Sequence, residues 1–201
     1  VRVTTLETSA DEREVVPPAR PLALAWLLLV GGAIGLAASF TLTVEKIRLL
    51  ETAKYVPSCN FSKIFNCLNI MKTDQASLFG FPNPLLGLVG FAVVITLGVV
   101  LLSGSRLAEW VWGGLQVGAT LAFVFICWLQ YESLYVIGSL CPWCMVVWAV
   151  TIPIFWYVTL RNLGTWAPRN RVVGFLRDWN VLILALWFVL IATAILFRFF
   201  L

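Results

Sequence analysis

The sequence has no histidine, and only 12% of its 201 residues are charged. The first absence removes the usual haem ligand and every mixed cysteine–histidine zinc site. The second excludes an ordinary soluble domain, in which about a quarter of residues carry charge. No Gly-x-Gly-x-x-Gly follows a strand, so nothing suggests a bound nucleotide or flavin. The cysteines have no iron–sulfur spacing, and no basic patch interleaved with aromatics points to nucleic acid. There is no internal repeat or low-complexity tract.

What is present is long apolar runs. The intervals Arg20–Glu45, Asp74–Arg106, Glu109–Glu132, Glu132–Arg161 and Asp178–Arg198 enclose 24, 31, 22, 28 and 19 residues without a charge. A helix of about 20 apolar residues crosses a bilayer core. The runs therefore predict an all-α integral membrane protein with five transmembrane helices, at roughly 21–43, 84–103, 110–131, 141–160 and 179–199. The first run is too long for a signal peptide and lacks a small-x-small cleavage site leading into a soluble domain. Residues 1–20, with Asp11, Glu12, Arg13, Glu14 and then Pro17-Pro18, read as a disordered polar tail. Residues 21–201 form the transmembrane domain.

Five spans put the termini on opposite sides of the membrane. Arg2, Arg13, Arg20, Arg106, Arg161, Arg169, Arg171 and Arg177 share one side, against Lys46, Arg48, Lys54, Lys63, Lys72 and Arg198 on the other. This bias, strongest in the 161–178 loop, places the N-terminus in the cytoplasm of a cell whose plasma membrane the chain spans. The 44–83 segment is then an extracytoplasmic loop. It opens with Val44–Tyr55 at helical spacing, expected as a short helix in the headgroup region that Pro57 stops.

That loop carries Cys59 and Cys67, with seven residues between them. Span parity starts the fourth span on the same side, so Cys141 and Cys144 of "SLCPWCMVVW" meet Cys59 and Cys67 at one membrane face. Cys127 lies within the third span and reads as a small packing residue. Three readings of the four cysteines remain open: structural disulfides in an oxidising compartment, a four-sulfur zinc site, or redox exchange. The seven-residue spacing and the oxidising face weigh against zinc. A bridge across Cys141-x-x-Cys144 would constrain little of the unfolded chain, whereas close thiols can resolve a mixed disulfide. With Pro142 as first helical residue, Cys141 falls at the N-cap, where free amides and the helix dipole favour thiolate.

Dithiol oxidation releases two electrons and two protons. A lipid quinone, of menaquinone or ubiquinone type, is an acceptor that can reach Cys144 from the bilayer. Asn83, at the start of the second span, and Trp148, one helical turn beyond Cys144, are candidate hydrogen-bond donors to its carbonyls. Asn83 between two prolines also suits a plain turn. The other tryptophans read as interfacial or packing residues, and Gln130 and Glu132 as solvated. A transporter is disfavoured, because the spans lack charged pairs and broken helices.

Cys59 and Cys67, Thr73, Phe79-Gly80, Asn83, Gly87 and Cys141-x-x-Cys144, with the stretches "DQASLFGFPNPLLGLVGF" and "CPWCM", resemble the vitamin K epoxide reductase family, its bacterial members in particular. The resemblance covers roughly residues 21–200. It implies a four-helix bundle around a quinone site plus one extra helix; the thioredoxin-like domain that many bacterial relatives carry after the fifth span does not follow within these 201 residues. It implies that Cys59 and Cys67 take electrons from a thioredoxin-fold partner outside the cytoplasm, and that Cys67 exchanges with Cys141. Cys144 would reduce the quinone, with Asn83 on a carbonyl and Thr73 where a serine is usual. Trp148 stands where vertebrate members carry a tyrosine. Indole donates but does not accept a hydrogen bond, which favours disulfide formation by quinone reduction over the alternative, quinone-epoxide reduction. The remaining alternative is a non-catalytic membrane protein with structural disulfides.

Overall fold

The computed structural model describes residues 22–52 and 54–200. The expected polar tail lies outside them. Among the described residues, five helices are long and apolar enough to cross a membrane: α1 (Leu22–Glu51), α3 (Pro84–Leu102), α4 (Glu109–Tyr131, continued by a π-helical segment Glu132–Ile137), α5 (Pro142–Trp166) and α7 (Asn180–Phe200). Two short helices join them, α2 (Cys67–Met71) before α3 and α6 (Arg171–Asp178) before α7. The described residues contain no named strand, only one isolated parallel bridge between Phe65 and Leu140. The fold is all-α, as expected.

Helix α1 is the axis of the bundle, packing along α3 on one side and α5 on another, while α5 also packs on α4. Small residues allow the closest approach. A Cβ on Gly98 of α3 would lie 2.8 Å from Leu29 N and 3.1 Å from Ala25 O, both backbone atoms of α1. One on Gly87 would collide with Ser39, and one on Gly35 with the Phe91 ring. Between helices solvated by lipid there is little hydrophobic drive to associate, so such backbone proximity and its dispersion contacts hold the pair. The apolar core gathers Leu24, Ala25 and Leu28 of α1 with Phe91, Trp112, Leu115, Ile154 and Val158. None of the spanning window of α7 is fully buried; one face, with Leu184, Phe188, Ile191 and Ile195, packs against the Trp148 cluster.

Two boundaries differ from expectation. Val44–Glu51 is not a separate interfacial helix ended by Pro57. It is the last two turns of α1, which ends at Glu51. No proline or glycine interrupts the run from Thr43, and at about 1.5 Å per residue 30 residues extend about 45 Å, well beyond a ~30 Å hydrocarbon core. The loop therefore begins at residue 52 rather than 44. Helix α5 also outruns its expected end at residue 160, reaching Trp166, because its basic end is anchored. Arg161 stacks on Trp112 at 4.0 Å and pairs with Glu109 at 2.9 Å, and buried Asn162 donates to Trp112 O and Gln116 Oε1.

Candidate active site

At the Glu51 end of α1 the chain must cover the N-terminus of α5. The protruding turns of α1 supply two anchors. Glu45 is buried, and its carboxylate accepts from Tyr55 Oη at 2.8 Å, from Ser58 Oγ at 2.6 Å and from the Ser58 N–H. Lys46 Nζ donates to Met71 O at the end of α2. The first anchor fixes the residue before Cys59, and the second fixes the helix that Cys67 begins.

A backbone clamp then joins this loop to the head of α5. Leu140 N–H donates to Ile64 O at 2.8 Å, Asn66 N–H donates to Leu140 O at 3.0 Å, and Asn69 Nδ2 donates to Ser139 Oγ at 3.1 Å. Asn66 caps α2, accepting from the Asn69 N–H, and Asn60 Oδ1 accepts from the Leu68 N–H. On the other strand of the clamp, Gly138 has φ of +67°, a left-handed conformation that closes the π-helical segment and turns the chain into Ser139. Cys67 follows Asn66 and Cys141 follows Leu140, the two residues joined by the second of these bonds, which brings their sulfurs together.

Cys59 and Cys67 form a disulfide. Cys141 Sγ lies 3.2 Å from Cys67 Sγ, and the sulfurs of Cys59, Cys67 and Cys141 all lie within 4.8 Å of one another. All three residues are buried, at 1%, 0% and 1% exposure. Cys141 and Cys144 are free thiols. Cys141 is the N-cap of α5 with Pro142 following, and it accepts from the Cys144 N–H at 3.4 Å. The Cys144 thiol donates to Cys141 and lowers its pKa below the ordinary thiol value. Burial opposes this, and the Cys144 and Trp143 N–H groups reinforce it. With two of the three clustered sulfurs bonded to each other, the cluster in this state offers a metal one thiol rather than three. It is instead arranged for exchange: a thiol favoured as thiolate sits against one sulfur of a disulfide, at near-attack distance.

Trp148 is buried in a cluster with Ile126, Leu134, Leu140 and Ile152, against which Cys144 packs. It also borders an apolar cavity of about 210 Å³ between Met145 and Ala149 of α5 and Phe188, Ile191 and Ile195 of α7. Thus the fifth helix walls the space beside Trp148. Asn83 is brought near the same membrane face but is tied into its own loop: Nδ2 donates to Gln75 O at 2.6 Å, and Oδ1 accepts from the Leu78 N–H at 3.2 Å. Thr73 Oγ1 donates to Ile70 O. Cys127 is half-buried on α4.

The Vitamin K epoxide reductase family model matches residues 26–159, which span α1 through most of α5 and contain Cys59, Cys67, Cys141 and Cys144. The chain belongs to this family. No curated protein matches the sequence. Membership in the vitamin K epoxide reductase family makes the chain a multi-pass membrane oxidoreductase, and the disulfide with its adjoining thiols fits that redox chemistry.

Sequence reasoning missed several contributors. Glu45 and Ser58 set the Cys59 loop, yet a glutamate near a span end carries no mark of burial. Asn66 could have been found as a cap before a short helical run. Gln130, expected to be solvated, is only 9% exposed. Its helix carries a buried stripe through Ala119, Ile126, Gln130 and Ser133, at a spacing that keeps one face inward, and that periodicity was available in the sequence.

Proposed function

We propose that this protein forms disulfides outside the cytoplasm, carrying electrons from a reduced thioredoxin-fold protein to a lipid quinone. The observation that carries the reading is the 3.2 Å contact between Cys67 of the disulfide and the free Cys141. The partner's thiolate attacks Cys59 Sγ and releases Cys67. The partner's second thiol then resolves the mixed disulfide, leaving the partner oxidised and Cys59 and Cys67 as thiols. Cys67 next attacks Cys141 of a Cys141–Cys144 disulfide and releases the Cys144 thiolate. Cys59 resolves that intermediate, restoring Cys59–Cys67 with Cys141 and Cys144 reduced. This last arrangement is the state described above. Oxidation of Cys141 and Cys144 to a disulfide then passes two electrons and two protons to the quinone, giving the quinol.

Buried shuttle sulfurs also fit this scheme. A protein donor reaches them by docking on the loop that carries Cys59 and opening it. Cys144 faces the apolar side of the site, Trp148 forms the wall one turn deeper, and Asn83 and Thr73 supply polar groups from the loop. A structural role for the cysteines alone would give no reason for two free thiols against a disulfide. The N-terminus is assigned to the cytoplasm and the cysteine cluster to the opposite face.

The shuttle is tested by supplying electrons either from a reduced thioredoxin-fold protein or from dithiothreitol while quinone absorbance is followed. Cys59→Ala should abolish quinone loss with the protein donor and retain it with dithiothreitol. Equal activity with both donors would refute the role of Cys59.

A further inference from the structure

Gln130 Nε2 is a buried amide nitrogen with no hydrogen-bond partner, the one such side-chain atom among the described residues. A buried donor left unpaired is costly, so one that persists calls for an absent partner. Its place follows from the register of α4 and α5. Gln116 donates to Thr159 Oγ1 at 3.0 Å, and Phe123 stacks on Phe155 at 4.2 Å. The two helices run antiparallel, so two turns along α4 from Phe123 meet two turns back along α5 from Phe155. That step pairs Gln130 with Trp148, one turn from Cys144. The neighbouring turns of the same face agree, since Ile126 and Leu134 both pack in the cluster that holds Trp148 and contacts Cys144.

We infer that Gln130 is a binding residue for the electron acceptor, donating from Nε2 to a carbonyl oxygen of a 1,4-quinone held against Trp148. The inference rests on the quinone-reducing reading above and deepens it. An amide suits this place better than the indole beside it. Indole can only donate, whereas glutamine also carries an acceptor in Oε1. One side chain can therefore serve a carbonyl before the reaction and a hydroxyl after it. The donor also strengthens as electron density moves onto the carbonyl oxygen, because hydrogen bonds to charged acceptors are stronger than neutral ones. Asn83 uses Nδ2 and Oδ1 once each within its own loop, whereas Gln130 Nε2 is buried with no partner.

The test compares the full-length protein with Gln130→Met, which keeps length and apolar contact but removes the donor. Binding of decylubiquinone and of menadione is measured by tryptophan quenching, alongside the thermal midpoint without ligand. At least tenfold weaker binding of one probe or both, with a ligand-free midpoint equal to or above the wild type, is the expected result. Unchanged affinity for both probes overturns the inference. So does a lowered ligand-free midpoint, which would make Gln130 a strut between helices. If the wild type binds neither probe, the quinone-reducing reading falls and this inference with it. Wild-type binding that Gln130→Met leaves intact removes the inference alone.

Discussion

Removing Cys59 and Cys144 together should switch the disulfide. In Cys59→Ala/Cys144→Ala, Cys67 loses its bridge partner and Cys141 loses its neighbour in the Cys-x-x-Cys pair, leaving the two facing each other. Their sulfurs start 3.2 Å apart, and a disulfide needs about 2.05 Å, so each side chain must move roughly 0.6 Å. Rotation about χ1 supplies that without displacing α2 or α5. The new bridge spans 74 positions, where the native one spans 8. In the chain-entropy account such closures contribute about 4.5 and about 2.5 kcal/mol respectively. Limiting oxidant, acid quench, alkylation and non-reducing peptide mapping would identify the pair. The oxidised variant should also resist denaturation by SDS better than its reduced form. Cys67 and Cys141 remaining fully alkylated, under oxidant that closes Cys59–Cys67 in the wild type, would refute the exchange geometry.

Three further outcomes follow from the same contacts. Cys141 has a lowered pKa whose leading cause is the Cys144 thiol, so its alkylation rate should reach half-maximum below the free-thiol value of about 8.5. Cys144→Ala should move that midpoint to higher pH, and an unmoved midpoint would discount the Cys144 hydrogen bond. Glu45→Ala leaves Tyr55 and Ser58 without their acceptor and should cost the loop about 2–3 kcal/mol. Faster amide exchange at residues 54–60 and easier reduction of Cys59–Cys67 would report it, and wild-type protection would contradict the anchor. Gly98→Ala places a methyl against α1 backbone and should destabilise by about 1–3 kcal/mol, measured by SDS unfolding. Gly90→Ala is the control, as a Cβ there meets nothing within 4 Å, and equal losses at both sites would refute the close α1–α3 approach.

The bundle and the meeting of four cysteines were readable in the sequence, because hydrocarbon thickness imposes a length on each span and parity then sorts the loops. The N-cap position of Cys141 was readable too, from Pro142 behind it. Hydropathy was blind to Val44–Glu51. It reports where the chain leaves the lipid and not where the helix ends, and Glu45 and Lys46 look solvated until Ser58 and Met71 are placed beside them. The clamp between residues 64–66 and Leu140 is a single bridge, too short to impose a two-residue period. Asn83 shows the limit of motif reading: the residue type was singled out, but its use of both amide ends depends on the turn of the 75–83 loop. Gln130 sits at the spacing of an inward stripe, but a polar residue near a span end reads as solvated until its helix is packed.

In the proposed relay Cys144 is where the water-side thiols and the membrane-side acceptor meet, and it offers the most direct measurement. Purified protein in detergent with dithiothreitol as donor is followed by quinone absorbance, for the wild type and for Cys144→Ala. Rapid quinone loss in the wild type, abolished in Cys144→Ala although Cys59–Cys67 still forms, is the predicted result. Quinone loss that is absent in the wild type, or that survives in Cys144→Ala, would contradict electron transfer from Cys144 to quinone.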